Sequence, residues 1–277
     1  MNNLLQSIFK YYNKCWDVRF LNGHNHNSNA CHYGFYNYNC ESETLDDYDK
    51  QKINTNIQLI DKIEKTEDDS LNILDAGCGY GGTIIHLAKY FNKSFIYGIT
   101  LTDAQINISI NNVINNNIDN ILIHEGNFDY PNYNIKTTQK FDIIYFIESI
   151  CHAECKENTI NFGLEMMNKG GKMIIFDYFE NLDIDGYVKN KDLIRNGMAI
   201  PSFINVDVFE NIKYDKINID DVTENILPGM KYSKEKAEKK IKNESDIDIK
   251  NHLESCIEMY ELHNKRVLKY NIVVLTK

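Results

Sequence analysis

The segment Ile73-Leu74-Asp75-Ala76-Gly77-Cys78-Gly79-Tyr80-Gly81-Gly82 constrains this chain more than any other. An apolar run ends in closely spaced glycines, and a helical pattern through Ile84, Leu87 and Tyr90 follows. Such a turn lets the backbone approach a ligand and points helix N–H groups at it. Gly77, Gly79 and Gly82 satisfy G-x-G-x-x-G, a spacing that is weak on its own. A dinucleotide site needs an acid about 20 positions on to hold the ribose. That place reads Tyr97-Gly98-Ile99-Thr100-Leu101, with no acid. Asp75, just before the first glycine, would repel a pyrophosphate and suits a cationic amino group.

Around this turn the pattern alternates. Apolar runs at 71–75, 94–99, 120–124, 141–147 and 172–177 read as strands, with helical spacing at 103–116 and 154–167. In the 103–116 helix, Ile106, Ile110, Val113 and Ile114 share one side. Gly170-Gly171 reads as the break before the fifth strand. This succession predicts an α/β fold with a parallel sheet covered on both faces. Leu4 to Tyr12 and Thr44 to Lys65 read as helices before it. After it come a sixth strand at 216–222, a helical stretch at 233–263 and a seventh strand at 267–276.

Thirty basic residues against 40 acidic ones give a net charge of −10, so no basic face for nucleic acid is expected. The 37 asparagines fall inside periodic segments and read as compositional background. Seven cysteines, an odd number, with no secretory pattern, predict a reduced, cytoplasmic protein. No run approaches the roughly 18 apolar residues of a membrane span. His24, His26, Cys31, His32, Cys151, His152 and Cys155 show no compact ligand spacing, so no metal is expected.

The turn suits S-adenosylmethionine (SAM), which carries an ammonium and a sulfonium and no phosphate. Here the sequence resembles the class I SAM-dependent methyltransferases. It is most similar to the small-molecule branch of sterol C-24, tocopherol, cyclopropane-fatty-acid and terpene C-methyltransferases. The resemblance rests on Asp75 to Gly82, on Gly98-Ile99-Thr100-Leu101-Thr102-Asp103-Ala104-Gln105, on Glu148-Ser149-Ile150-Cys151-His152-Ala153 and on His32-Tyr33-Gly34-Phe35-Tyr36. It implies a Rossmann-like seven-stranded sheet at 67–277 with a lid at about 178–232, behind a helical cap and active-site loop at 1–66. It also implies that His32, Asp75, Gly77, Cys78, Gly79, Gly81, Thr100, Leu101, Gln105, Asn127 and Phe128 bind the cofactor. Asn127 stands where many relatives have an aspartate, and its amide oxygen can accept from the adenine amino group. Lys169 replaces the usual proline before Gly170-Gly171.

Methyl transfer to an alkene leaves a carbocation, which a carboxylate or aromatic faces stabilise and a base then quenches. Glu148 and His152, four residues apart past the fourth strand, are the candidates, with Tyr33 and Tyr36 capping the pocket. The alternative is that Glu148 caps a helix and His152 is a satisfied core histidine. Asp221-Val222-Thr223 with Ile226-Leu227-Pro228 resembles a pocket-closing segment. The expected reaction is methylation of an apolar or isoprenoid small molecule at carbon, with a homodimer left open. An N- or O-methyltransferase, a nicotinamide oxidoreductase and a non-catalytic SAM-binding protein are the rivals.

Overall fold

A computed structural model describes residues 3–15, 28–37, 40–41, 44–129, 140–182 and 191–277. His24 and His26 lie outside these residues. Helix α1 (Asn3–Lys10) runs into a π-helical turn, Tyr11–Cys15. Helix α2 (Leu45–Ile63) starts at a capping box in which the Thr44 hydroxyl accepts from the Asp47 N–H and the Asp47 carboxylate accepts from the Thr44 N–H.

The alternating part then unfolds in order. Strand β1 (Asn72–Ala76) is followed by α3 (Gly82–Tyr90), β2 (Phe95–Thr100), α4 (Asp103–Asn115), β3 (Ile121–Glu125) and β4 (Phe141–Ile147). Next come α5 (Lys156–Met166), β5 (Met167–Glu180), α6 (Lys191–Met198), β6 (Lys216–Asp221), α7 (Thr223–Lys240), α8 (Ile247–Asn264) and β7 (Leu268–Thr276). The seven strands form one sheet in the order β3-β2-β1-β4-β5-β7-β6. β7 runs antiparallel to both its neighbours, so the sheet is mixed rather than wholly parallel.

β1, β4 and the 173–179 stretch of β5 are buried almost throughout, because helices cover both of their faces and leave no solvent side to alternate toward. Two apolar clusters result, one on each face. β5 begins earlier than the glycine pair suggests, because Gly170 and Gly171 lie within it: Gly170, at φ +77°, donates to the Lys277 carbonyl at the chain's end. The buried face of α4 also differs from the isoleucine stripe. It is Gln105, Ser109 and Val113, while Ile110 and Ile114 are exposed. α4 packs against the polar glycine turn, where Asn112 Nδ2 donates to the Tyr80 carbonyl. The span 178–232 contains the end of β5, α6, the edge strand β6 and the first turns of α7. No helix among the described residues is long and apolar enough to cross a membrane.

Candidate active site

The carboxyl ends of β1, β2, β4 and β5 open into a cavity, as expected for an open α/β sheet. One end is lined by Gly77, Gly79, Thr100, Leu101, Gln105, Asn127 and Phe128. The other is walled by Tyr11, Tyr12, Tyr33, Tyr178 and Tyr232, with Met198, Ile200 and Leu253. His32, Glu148 and His152 line it as well.

The first end carries the glycine turn and two side-chain amides. Gly77, at φ +115°, lies where a Cβ would come 2.5 Å from that of Ser149, so only glycine lets the turn pass. The Gly77 and Cys78 N–H groups donate to the Ile99 carbonyl, which binds the turn to β2. Thr100 and Thr102 hydroxyls both donate to Gln105 Oε1, at 2.8 and 3.1 Å. With its oxygen so used, Gln105 presents its amide NH2 as a donor at the cavity, a group suited to a carboxylate.

Three expected cofactor residues are not on the cavity wall. Asp75 is buried in β1, opposite Tyr145 of β4, whose hydroxyl donates to its carboxylate at 2.7 Å. Strand alternation turns that side chain into the protein rather than toward the ligand, and burial raises its pKa to about 7. Cys78 packs toward Gly98, and burial pushes its thiol well above the usual range. Gly81 is the left-handed N-cap of α3 and faces Ser109. Asn127 does line the cavity, but its Oδ1 accepts from the Asp129 N–H at 2.9 Å, so its NH2 is the group to offer a ring nitrogen. Phe128 stands edge-on to Phe146.

His32 is buried and bridges two elements. One ring nitrogen donates to the Tyr33 carbonyl and the other accepts from the Thr83 hydroxyl of α3. Burial lowers its pKa to about 4, so it is neutral. Tyr33 is held through its own backbone: Thr55 donates to its carbonyl, and its N–H donates to Glu148. Tyr36 sits in the core instead, exchanging backbone and amide hydrogen bonds with Asn225 of α7.

Glu148 follows β4 at φ +48°, a backbone conformation that costs energy in a non-glycine residue. Its N–H donates to the Phe176 carbonyl. Oε1 accepts from the Tyr33 N–H at 2.8 Å and the Tyr270 hydroxyl at 3.1 Å, and Oε2 from the Tyr178 hydroxyl at 2.6 Å. Tyr178 lies near the end of β5 and Tyr270 lies opposite it on β7. No local motif marks either tyrosine. His152 Nδ1 donates to the Ala199 carbonyl at 3.0 Å, which leaves Nε2 to accept from the Tyr12 hydroxyl at 2.9 Å. Beneath the turn, Asp177 accepts from the Cys151 and Tyr178 N–H groups, and burial raises its pKa to about 7.

Among the described residues no cluster of three His, Cys, Asp or Glu side chains could hold a metal ion. The 221–228 segment forms the end of β6 and the start of α7; Ile226 is buried in the core.

Residues 67–196 match a family model described as a methyltransferase domain. "N-methyltransferase 4" from Papaver somniferum is 32% identical over 89 residues, which are 31% of this chain and 24% of that protein. The sterol 24-C-methyltransferase ERG6 of Saccharomyces cerevisiae is 26% identical over 165 residues, 55% of this chain and 41% of its own. The matched stretches thus cover less than half of these curated relatives. A solved geranyl diphosphate C-methyltransferase from Streptomyces coelicolor A3(2) superimposes with a TM-score of 0.74 at 16% identity, over 99% of this chain and 98% of its own. Residues 67–196 thus match a methyltransferase domain, and the chain has the class I methyltransferase fold.

Proposed function

We propose that the chain is a SAM-dependent methyltransferase that methylates carbon in an apolar, isoprenoid-like alkene. The observation that carries this reading is Glu148, a carboxylate fixed by two phenols and one N–H in a wall of aromatic rings. SAM, when bound, supplies the sulfonium methyl for an in-line displacement. The Gln105 and Asn127 amides and the Gly77–Gly79 turn would hold it, leaving the aromatic end of the cavity for the acceptor.

The chain's residues then divide the work. Positioning alkene and methyl donor in line is a large part of the rate gain. As the acceptor becomes cationic, the ordered Glu148 charge and the faces of Tyr11, Tyr33 and Tyr178 stabilise it without reorganising. Three donors already occupy the Glu148 oxygens, so its role is a fixed negative charge. Proton removal falls to the Tyr12–His152 pair: the Tyr12 oxygen takes the substrate proton as its own hydroxyl proton passes to His152 Nε2. A diphosphate would need several cationic donors, but among the described residues no arginine lines the cavity, Arg266 pairs with Asp221 and Glu224, and Lys236 is the lysine on the wall. That favours a neutral alkene.

The test is incubation with trideuteromethyl-SAM and a panel of neutral isoprenoids, geranyl diphosphate, unsaturated fatty acids, amines and phenols, read by mass spectrometry. Label on an isoprenoid carbon is expected. Label confined to amines or phenols would replace carbon by nitrogen or oxygen as the acceptor. Tighter binding of NAD than of SAM would point to an oxidoreductase.

A further inference from the structure

Apart from the Glu148 clamp, a second pair of reactive side chains faces the same cavity. Cys256 and His252 sit one turn apart on α8, both buried and both on the cavity wall. The Cys256 Sγ lies 3.6 Å from His252 Nε2. At the ring's other end, Nδ1 meets the Gly197 carbonyl at 3.0 Å. A carbonyl only accepts, so the ring proton is on Nδ1 and Nε2 takes the thiol's hydrogen bond. The orienting carbonyl is held in place, because α6 and α8 touch at Gly197: a Cβ there would come 2.4 Å from the Asn251 carbonyl oxygen. Tyr11 stands edge-on to the imidazole, with centroids 5.5 Å apart. A thiol, a base within reach and a third group that fixes the base's tautomer together make an activated cysteine.

We propose that Cys256 is a nucleophile at the acceptor end of the cavity, and that it covalently captures apolar α,β-unsaturated carbonyl compounds. His252 Nε2 takes the thiol proton, and a sulfur–carbon bond forms at the β-carbon. The alkene π pair moves to the α-carbon, which then receives the proton back from the imidazolium. Nothing leaves, and nothing is oxidised or reduced. The adduct occupies the acceptor end and leaves Gly77, Gln105 and Asn127 clear, so acceptor binding is lost and cofactor binding is kept. The capture itself goes beyond methyl transfer, and only the division of the cavity into acceptor and cofactor ends rests on the proposed function.

The experiment treats the full chain with N-ethylmaleimide and, separately, trans-2-nonenal, and follows adducts residue by residue with peptide mass spectrometry. The exposed Cys40 and Cys155 serve as references in the same molecule. An ordinary exposed thiol loses thiolate about tenfold per pH unit below its pKa, whereas an imidazole-paired thiol keeps it. The Cys256 rate divided by the Cys40 rate is therefore expected to rise at least threefold from pH 8.5 to 6.5. In His252→Asn the Cys256 rate should fall at least tenfold, with Cys40 unchanged. Protein carrying the Cys256 adduct should still bind S-adenosylhomocysteine, measured by calorimetry. A Cys256 that reacts only after unfolding in urea is a sealed core thiol, and the proposal fails. A flat or falling rate ratio in the wild-type protein overturns it equally, whether or not the variant folds.

Discussion

In the proposed reaction Glu148 is the residue on which the chemistry turns, and its surroundings set what each substitution should do. Glu148→Gln keeps the shape and most of the hydrogen bonds but removes the charge. Removing an electrostatic stabiliser of this kind costs about 10²–10³ in kcat. The expected result is that loss in methyl transfer, with S-adenosylhomocysteine affinity by calorimetry within about threefold of wild type. An unchanged kcat would mean that Glu148 is a structural acid and that the cation is stabilised elsewhere. Tyr178→Phe removes the shorter of the two phenol contacts, at 2.6 Å, and Tyr270→Phe the longer, at 3.1 Å. A hydrogen bond to a charged group contributes about 1.5–3 kcal/mol, so kcat should fall roughly tenfold or more in Tyr178→Phe and less in Tyr270→Phe. Glu148 and His152 were legible because their motif is continuous in sequence. The tyrosines were not, because Tyr178 and Tyr270 lie 30 and 122 residues away and only strand pairing brings them together. Asp75 was misread for a related reason: the motif marks the turn, but strand alternation decides which way the carboxylate points.

Elements explain how the two ends of the cavity are held. The glycine turn was readable in advance, because a strand, a Gly-rich turn and a helix have a periodicity that survives any environment. Gly77→Ala tests it. The new Cβ would have to occupy space 2.5 Å from Ser149 Cβ at φ +115°, where an L side chain is strained. Strain of this type costs about 1–3 kcal/mol, and S-adenosylhomocysteine affinity should fall at least tenfold. Equal affinity would mean that the turn does not approach the ligand. The loop at 28–37, which brings the Tyr33 N–H to Glu148, depends on helix α2. There Lys52 is fully buried; its Nζ donates to the Ala30 carbonyl at 3.1 Å and lies 3.7 Å from Asp49, which in turn accepts from Ser28. Breaking a buried pair by deleting one partner costs about 3–5 kcal/mol. Lys52→Met should therefore lower stability by that amount in urea unfolding, and a loss under 1 kcal/mol would place the anchor elsewhere. Local pattern predicted α2 as a helix, but a lysine at its buried face carries no signal until the loop is folded over it.

At the scale of the molecule, the core buries titratable groups among its apolar ones, burial opposes their charged forms, and the result is a pH dependence with two opposing parts. His32 and His263 are buried and held near a pKa of about 4, against 6.5 for an ordinary histidine. As pH falls, the unfolded chain takes up these protons first, so their contribution to stability is lost between about pH 6.5 and 4. Asp75 and Asp177 are raised by burial to about 7, against 3.8. Here the native state takes up the proton first, so stability is gained as pH falls from about 7 toward 3.8. Each displacement corresponds to roughly 3–4 kcal/mol, and the two parts offset each other between about pH 6.5 and 4. The wild-type curve therefore hides them, and single variants should separate them with opposite sign. Asp75→Asn is spared the cost of a buried carboxylate, so its Tm relative to wild type should be higher at pH 8 than at pH 5. His32→Gln gives up a neutral imidazole whose contribution fades in acid, so its Tm relative to wild type should be lower at pH 8 than at pH 5. Thermal unfolding of the three proteins at the two pH values decides the matter. Shifts of the same sign would mean that at pH 5 Asp75 is already charged, or His32 already protonated, in the folded state.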